Sequence, residues 1–218
     1  VIDELMDRFP TTAKLALLSI CISAVVGISL GIISAVKQNT IIDHLSTGFA
    51  LLGVSMPAFW AGMMLILVFA IYLKWLPVSG IDGWKNWIMP AFTSSMVGMA
   101  TITRMTRSSM LDVICQEYIV TARAKGLSEQ TIVVKHALKN ALIPIITVLG
   151  IQLGTMLGGA VLTESVFSVP GLGKFMVDSI KNRDYPVVQG GVLLLAIVFS
   201  LVNLIVDIIY AYVDPRIK

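Results

Sequence analysis

The 218-residue chain is 56% apolar and 13% charged, with a mean hydropathy of +0.88. No soluble domain hides that much apolar surface, so the composition places the chain in a membrane. The net charge is only +3, with the basic residues clustered, which argues against nucleic-acid binding.

Residues 1–11 are polar and end in Pro10, with Thr11 as a candidate cap. Thr12 to Val36 is the first apolar run, long enough to cross a hydrocarbon layer of about 30 Å at helical rise. Lys14 near its start can snorkel to the headgroups. Gly27 and Gly31 form a GxxxG that allows close helix contact. A short turn, Lys37 to His44, leads to a second span from about Leu45 to Leu73, in which Gly53 and Pro57 predict a kink. Trp75, Trp84 and Trp87 gather in the next loop and mark a membrane interface. A third span opens near Ile88 and runs to about Thr103, closed by Arg104 and Arg107. Leu138 to Val161 is the fourth, with Pro144 in its first turns and a flat stripe of Gly150, Gly154 and Gly158 that invites a neighbour. A polar segment over 162–186 precedes the fifth, Val187 to Val213, and DPRIK ends the chain. The runs lack the period-two alternation of barrel strands, so the reading is an all-α membrane protein of five spans, one domain over 1–218.

Between the third and fourth spans lies Gln116–Asn140, QEYIVTARAKGLSEQTIVVKHALKN. Its pattern is helix, stop, start, helix. Gly126 stands where a left-handed residue ends a helix, Ser128 at a natural N-cap, and Glu129 in a first turn, where the helix dipole favours an anion. Two short helices at an angle make a rigid knob that another protein could grip. From the residues alone, a docking knob and a solvated connector are equally good readings.

The stretch TARAKGL (Thr121 to Leu127), with His136, Leu138, Asn140 and Pro144, resembles the cytoplasmic-loop signature of ABC-importer permeases, and more narrowly their dipeptide, oligopeptide and nickel branch. Val120, Thr121 and Ala122 stand where the general signature has Glu-Ala-Ala, a departure that fits this branch. The resemblance implies a type I importer permease fold. It implies that the 116–140 loop docks on an ATPase subunit, through Thr121, Ala122, Ala124, Lys125, Gly126, Leu127, Ser128, His136 and Asn140. It also implies two ATP-binding cassette subunits, a homologous second permease and an extracytoplasmic solute-binding protein. The chain then lies in the bacterial inner or plasma membrane and moves its solute by alternating access.

Lys37, Arg104, Arg107, Arg123, Lys125, Lys135, Lys139, Arg216 and Lys218 outnumber the basic residues of the other side, so the first side, with the C-terminus, is expected in the cytoplasm. Five spans then leave the first residue, a Val, outside with no cleavable leader. A further helix upstream is the simplest repair, and the resembling permeases have one.

No motor is legible in the chain. Gly171-Leu172-Gly173-Lys174 is followed by Phe175 where a phosphate loop needs Ser or Thr, and Ser168 stands where its first glycine belongs. No cofactor is therefore expected in this chain; ATP belongs to partner subunits, and the chain is not itself an enzyme. A gradient-driven carrier would carry buried Asp, Glu, His or Arg mid-span, and an intramembrane enzyme a His-acid constellation; the span middles contain neither. Asp207 with Asn203 reads as a helix–helix hydrogen bond. Cys21 and Cys115 read as free thiols, His44 and His136 as rim residues, and no metal site is expected.

Over 162–186, ESVFSVPGLG and NRDYP read from physics as an amphipathic interfacial loop; the resemblance implies a surface facing the binding protein and capping the path, carried to Glu164, Pro170, Gly171, Gly173, Arg183 and Asp184. Pore candidates are Ser55, Met56, Met96, Met99 and Gln152, each also explained by packing. The lack of nitrogen donors in the span middles favours a dipeptide or oligopeptide solute over nickel.

Overall fold

The computed structural model describes the backbone of residues 1–213 and the side-chain surroundings of all of these except Gly159 and residues 209–213. DPRIK, with Arg216 and Lys218 of the charge count, lies outside the described residues.

Among the described residues every regular element is helical. Helix α1, Ile2–Val36, is unbroken. The polar first residues belong to it, with Pro10 inside, because their neighbours bury Leu5 and Thr12. The second span is not one kinked helix. It is α2, Ile41–Ser55, then α3, Ala58–Leu65, which continues in wider π-type turns to Tyr72. The halves meet at 104° across Met56 and Pro57, since the residue before a proline is held out of the helical region and Met56 has ψ 129°. Helix α4, Lys85–Ile114, continues well past Arg104 and Arg107. Helices α5, Glu117–Ala124, and α6, Glu129–Thr131, form the predicted corner. After α6 the chain runs through π-type turns into α7, Leu138–Gly159, so the corner's second arm is no short helix but the start of the fourth span. Short α8, Val161–Val166, and α9, Leu172–Lys181, precede α10, Tyr185–Val213.

Three helical stretches, Ile2–Val36, Glu129–Gly158 and Tyr185–Ile208, are long and apolar enough to cross a membrane, and the bent pair α2–α3 makes a fourth. The expected third span, α4, is long enough but less apolar. It lies among the other helices, burying Trp87, Thr93, Ser95, Thr103 and Thr106, and a helix shielded from lipid can carry hydroxyls.

Close backbone approach holds α1 to α4. A Cβ at Gly27 would lie 2.9 Å from the Ile102 side chain, and one at Gly31 2.5 Å from Thr106 Cβ. The GxxxG therefore packs as its sequence predicts. The glycine stripe of α7 is used in part. Gly150 and Gly154 sit against Val206 and Phe199 of α10, while a Cβ at Gly158 would meet nothing from another element within 4 Å among the described residues. An apolar core of Ile102, Met110, Ile119, Ile132 and Ile145 joins α4, α5 and α7 near the corner. A second, around Leu15, Trp87, Met89 and Phe167, lies toward the opposite end.

Candidate functional site

The corner is built by local geometry. Gly126 has φ +78°, and α5 ends in a Schellman motif: Leu127 N–H donates to Ala122 O (3.4 Å) and Gly126 N–H to Arg123 O (2.9 Å). Ser128 caps α6, its hydroxyl accepting from Thr131 N–H at 3.3 Å. Across the bend Arg123 forks onto Glu129 (2.7 and 3.3 Å). This pair is exposed and solvent-screened, so it orients more than it stabilises. Asn140 Nδ2 donates to the Tyr118 hydroxyl (2.7 Å) and to His136 O (3.1 Å), tying the start of α5 to α7.

The corner's inner face, Ile119, Ile132 and Ala137, is fully buried in the core. Ala122 is on that face, so its methyl packs inward and offers nothing to a partner. Thr121, Ala124, Lys125, Gly126, Leu127, Ser128 and Asn140 are exposed, and His136 is half-buried. Val120 and Val134, on the corner's two arms, are exposed apolar side chains as well. Motif reading missed Val120 as surface; its step of about 100° round the helix from buried Ile119 is the signal that finds it.

A second buried network was invisible in sequence. Asp43, 2% exposed, accepts both arms of Arg107 at 2.8 Å, the Ser34 hydroxyl, and Asn39 N–H at 3.0 Å. It clamps α1, α2 and α4 beside the corner. Arg107 is thus a structural ligand as well as a basic residue of its side.

At the opposite end, Glu164 is fully buried. Its carboxylate accepts from the Thr12 hydroxyl (2.6 Å) and from Lys174 N–H (2.9 Å), while Thr12 accepts from Leu172 N–H (2.8 Å). Together they cap the start of α9, where the helix dipole favours an anion. Gly171 and Gly173 are glycines because a Cβ on either would run into this carboxylate or Val161. Burial pushes the Glu164 carboxyl above the ordinary range, against the opposing pull of its donors. Lys174, paired with Asp178 at 2.8 Å, holds that carboxyl below its ordinary range. Glu164, Gly171 and Gly173 therefore make an internal staple, and Pro170 is half-buried. The surface left for a partner is Arg183 and Asp184, both exposed; Arg183 turns at φ 60° and Asp184 caps α10 through Val187 N–H (3.3 Å).

The pore candidates separate. Met56, Met96 and Met99 line an apolar cavity of about 170 Å3 with Phe49 and Phe92, a packing environment. Ser55 bonds back to Leu51 O (2.9 Å). Of these candidates Gln152 alone lines the cavity between α4, α7 and α8, whose wall carries hydroxyls. Asp207 is exposed and Asn203 half-buried, its Oδ1 3.8 Å from where a Cβ on Gly154 would stand. Among the described residues no three His, Cys, Asp or Glu side chains gather to hold a metal. Cys21 and Cys115 are free.

Such a helical core, with a rigid corner at one end and a stapled loop at the other, defines the membrane component of a transporter. The chain belongs to the family of binding-protein-dependent transport system inner membrane components, which it matches over residues 27–218, and so is a permease of the ABC-importer type. It is 43% identical to the dipeptide transport system permease protein DppB of Escherichia coli K12, over 99% of this chain and 73% of that one. It is 45% identical to the glutathione transport system permease protein GsiC of the same strain, over 100% of this chain and 71% of that one. Its fold is similar to that of the MetNI methionine ABC transporter in an inward-facing form, with a TM-score of 0.81 at 20% identity, covering 98% of this chain and 97% of that one. An amino acid ABC transporter follows at 0.65 and 14% identity, covering 99% and 94%.

Proposed function

We propose that this chain forms half of the translocation path for dipeptides or oligopeptides in an ATP-driven importer. It works with a homologous second permease, two ATP-binding subunits that grip the corner from the cytoplasm, and a binding protein that meets the Arg183–Asp184 surface outside. One observation carries the mechanism: the corner and the cavity at Gln152 share one continuous helical stretch, Glu129–Gly158. At helical rise those 30 residues span about 45 Å. A push at Leu127 and Ser128 is therefore passed to Gln152 along one helical stretch, through the π-type turns at Ile132–Ala137 and past Pro144. The permease makes and breaks no bonds; ATP hydrolysis on the partner subunits moves this lever, the helices rock, and the path opens alternately to the two sides. The solutes of the two permeases cited, a dipeptide and glutathione, share peptide groups, which supports a peptide cargo.

The test is reconstitution of the assembled importer in proteoliposomes with its binding protein and a radiolabelled dipeptide. Uptake is expected only with ATP and the binding protein together. Uphill uptake with the ATP-binding subunits omitted would refute the mechanism.

A further inference from the structure

The cavity between α4, α7 and α8 has a volume of about 180 Å3 and opens to the surface at Thr155; the polar groups of Thr93, Ser94, Gln152, Thr155 and Thr163 stand in a wall otherwise made by apolar neighbours such as Met156. At about 30 Å3 per molecule it has room for about six waters. Its size is close to that of the neighbouring methionine-lined cavity, but its wall carries hydroxyls and an amide that the other lacks. No ionisable side chain is on its wall. A charged group entering it would lose its hydration without gaining a counter-charge, whereas a neutral amide could exchange its water hydrogen bonds for hydroxyls.

The hydrogen bonds already made decide what remains on offer. Thr155 Oγ1 donates within its own helix, to Gln152 O at 2.9 Å and to Gln152 Oε1 at 3.2 Å, which leaves its lone pairs free to accept. Ser94 donates to Thr163 Oγ1 at 3.0 Å, and among the described residues the Thr163 proton has no acceptor of its own. The Gln152 carboxamide nitrogen has no protein partner among the described residues. The wall therefore presents an acceptor beside two donors, and a peptide group needs one acceptor for its N–H and one donor for its C=O.

We infer that this cavity receives a peptide group of the solute in transit, with Gln152 and Thr163 donating to its carbonyl and Thr155 accepting from its N–H. The inference rests on the peptide reading above. Selection at this point falls on the backbone of the cargo, because the wall's hydrogen-bonding groups match a peptide group and no charge is present to read a charged side chain.

The experiment is a cycle in the reconstituted importer, using alanyl-alanine and its analogue methylated on the peptide nitrogen, with wild type and Thr155→Val. Any preference of the binding protein is the same in both permeases and cancels. Thr155→Val is expected to raise KM for alanyl-alanine roughly two- to tenfold, the effect of one hydrogen bond, and to leave the methylated peptide unchanged. Gln152→Leu should slow both peptides alike, since both keep the carbonyl, and Gln152→Asn should recover part of the loss. If Thr155→Val slows both peptides equally, or neither, the subsite falls while the peptide reading stands. If wild type imports neither, both fall together.

Discussion

Gly126 gives the sharpest test of the corner, because its geometry separates backbone strain from bulk. A Cβ built there meets nothing within 4 Å among the described residues, so space does not exclude it. The φ of +78° is another matter. An L-residue in this region is disfavoured by about 1–2 kcal/mol, more if β-branched, and less for Asn. That amounts to roughly a five- to thirtyfold fall in the population of the closed Schellman turn. The two hydrogen bonds that end α5, Leu127 to Ala122 and Gly126 to Arg123, are lost together when the turn opens. The expected order of damage is therefore Asn, then Ala, then Val. It should be read twice in the assembled importer: as hydrogen exchange at the amides of residues 125–127, and as peptide imported per ATP hydrolysed. Gly126→Val should exchange fastest and couple worst while reaching the membrane at the normal level. Equal coupling in Gly126→Val and wild type would refute the reasoning, and so would Gly126→Asn performing as badly as Gly126→Val, since bulk or polarity would then be the cause.

Three further outcomes follow from the packing. Glu164, whose carboxyl burial raises, takes up a proton on folding, so its contribution is full below the ordinary carboxylate range and is lost as pH rises through the raised value. Protection of Lys174 and Lys181 from trypsin should accordingly weaken as pH rises across that window, and Glu164→Gln should flatten the trend; a slope of opposite sign would contradict it. Arg107→Ala strands Asp43 in its pocket and should destabilise by about 1.5–3 kcal/mol, with Asp43→Asn in that background recovering part of the loss in detergent melting curves. Gly154→Ala puts a methyl 2.9 Å from the Phe199 ring and should destabilise by about 1–3 kcal/mol, whereas Gly158→Ala, with open space around it, should be neutral or gain up to about 1 kcal/mol; equal melting temperatures for the two would show that α7 and α10 do not pack as described.

Local features were legible in the sequence for a common reason: each depends on a few neighbouring residues. The membrane class follows from composition, and most spans from unbroken apolar runs. The corner follows from Gly126 and Ser128 because helix ends are decided by backbone conformation and nearby hydrogen bonds. The GxxxG of α1 was legible because small residues at that spacing leave one face flat.

What lay beyond the sequence depends on which helices meet. Thr12 and Glu164 are 152 positions apart, and only packing of α1 against the 162–186 loop turns a presumed surface carboxylate into a buried cap. Asp43 and Arg107 are 64 apart, and each alone is an unremarkable rim charge. The depth of the break at Pro57 and the burial of Ala122 are of the same kind. So is the parting of Gln152 from the methionines. A polar side chain in an apolar span satisfies the same composition rules whether it faces a neighbour, a cavity or lipid. Its partner is chosen by the rotation and contact of whole helices, a property no short stretch of chain contains.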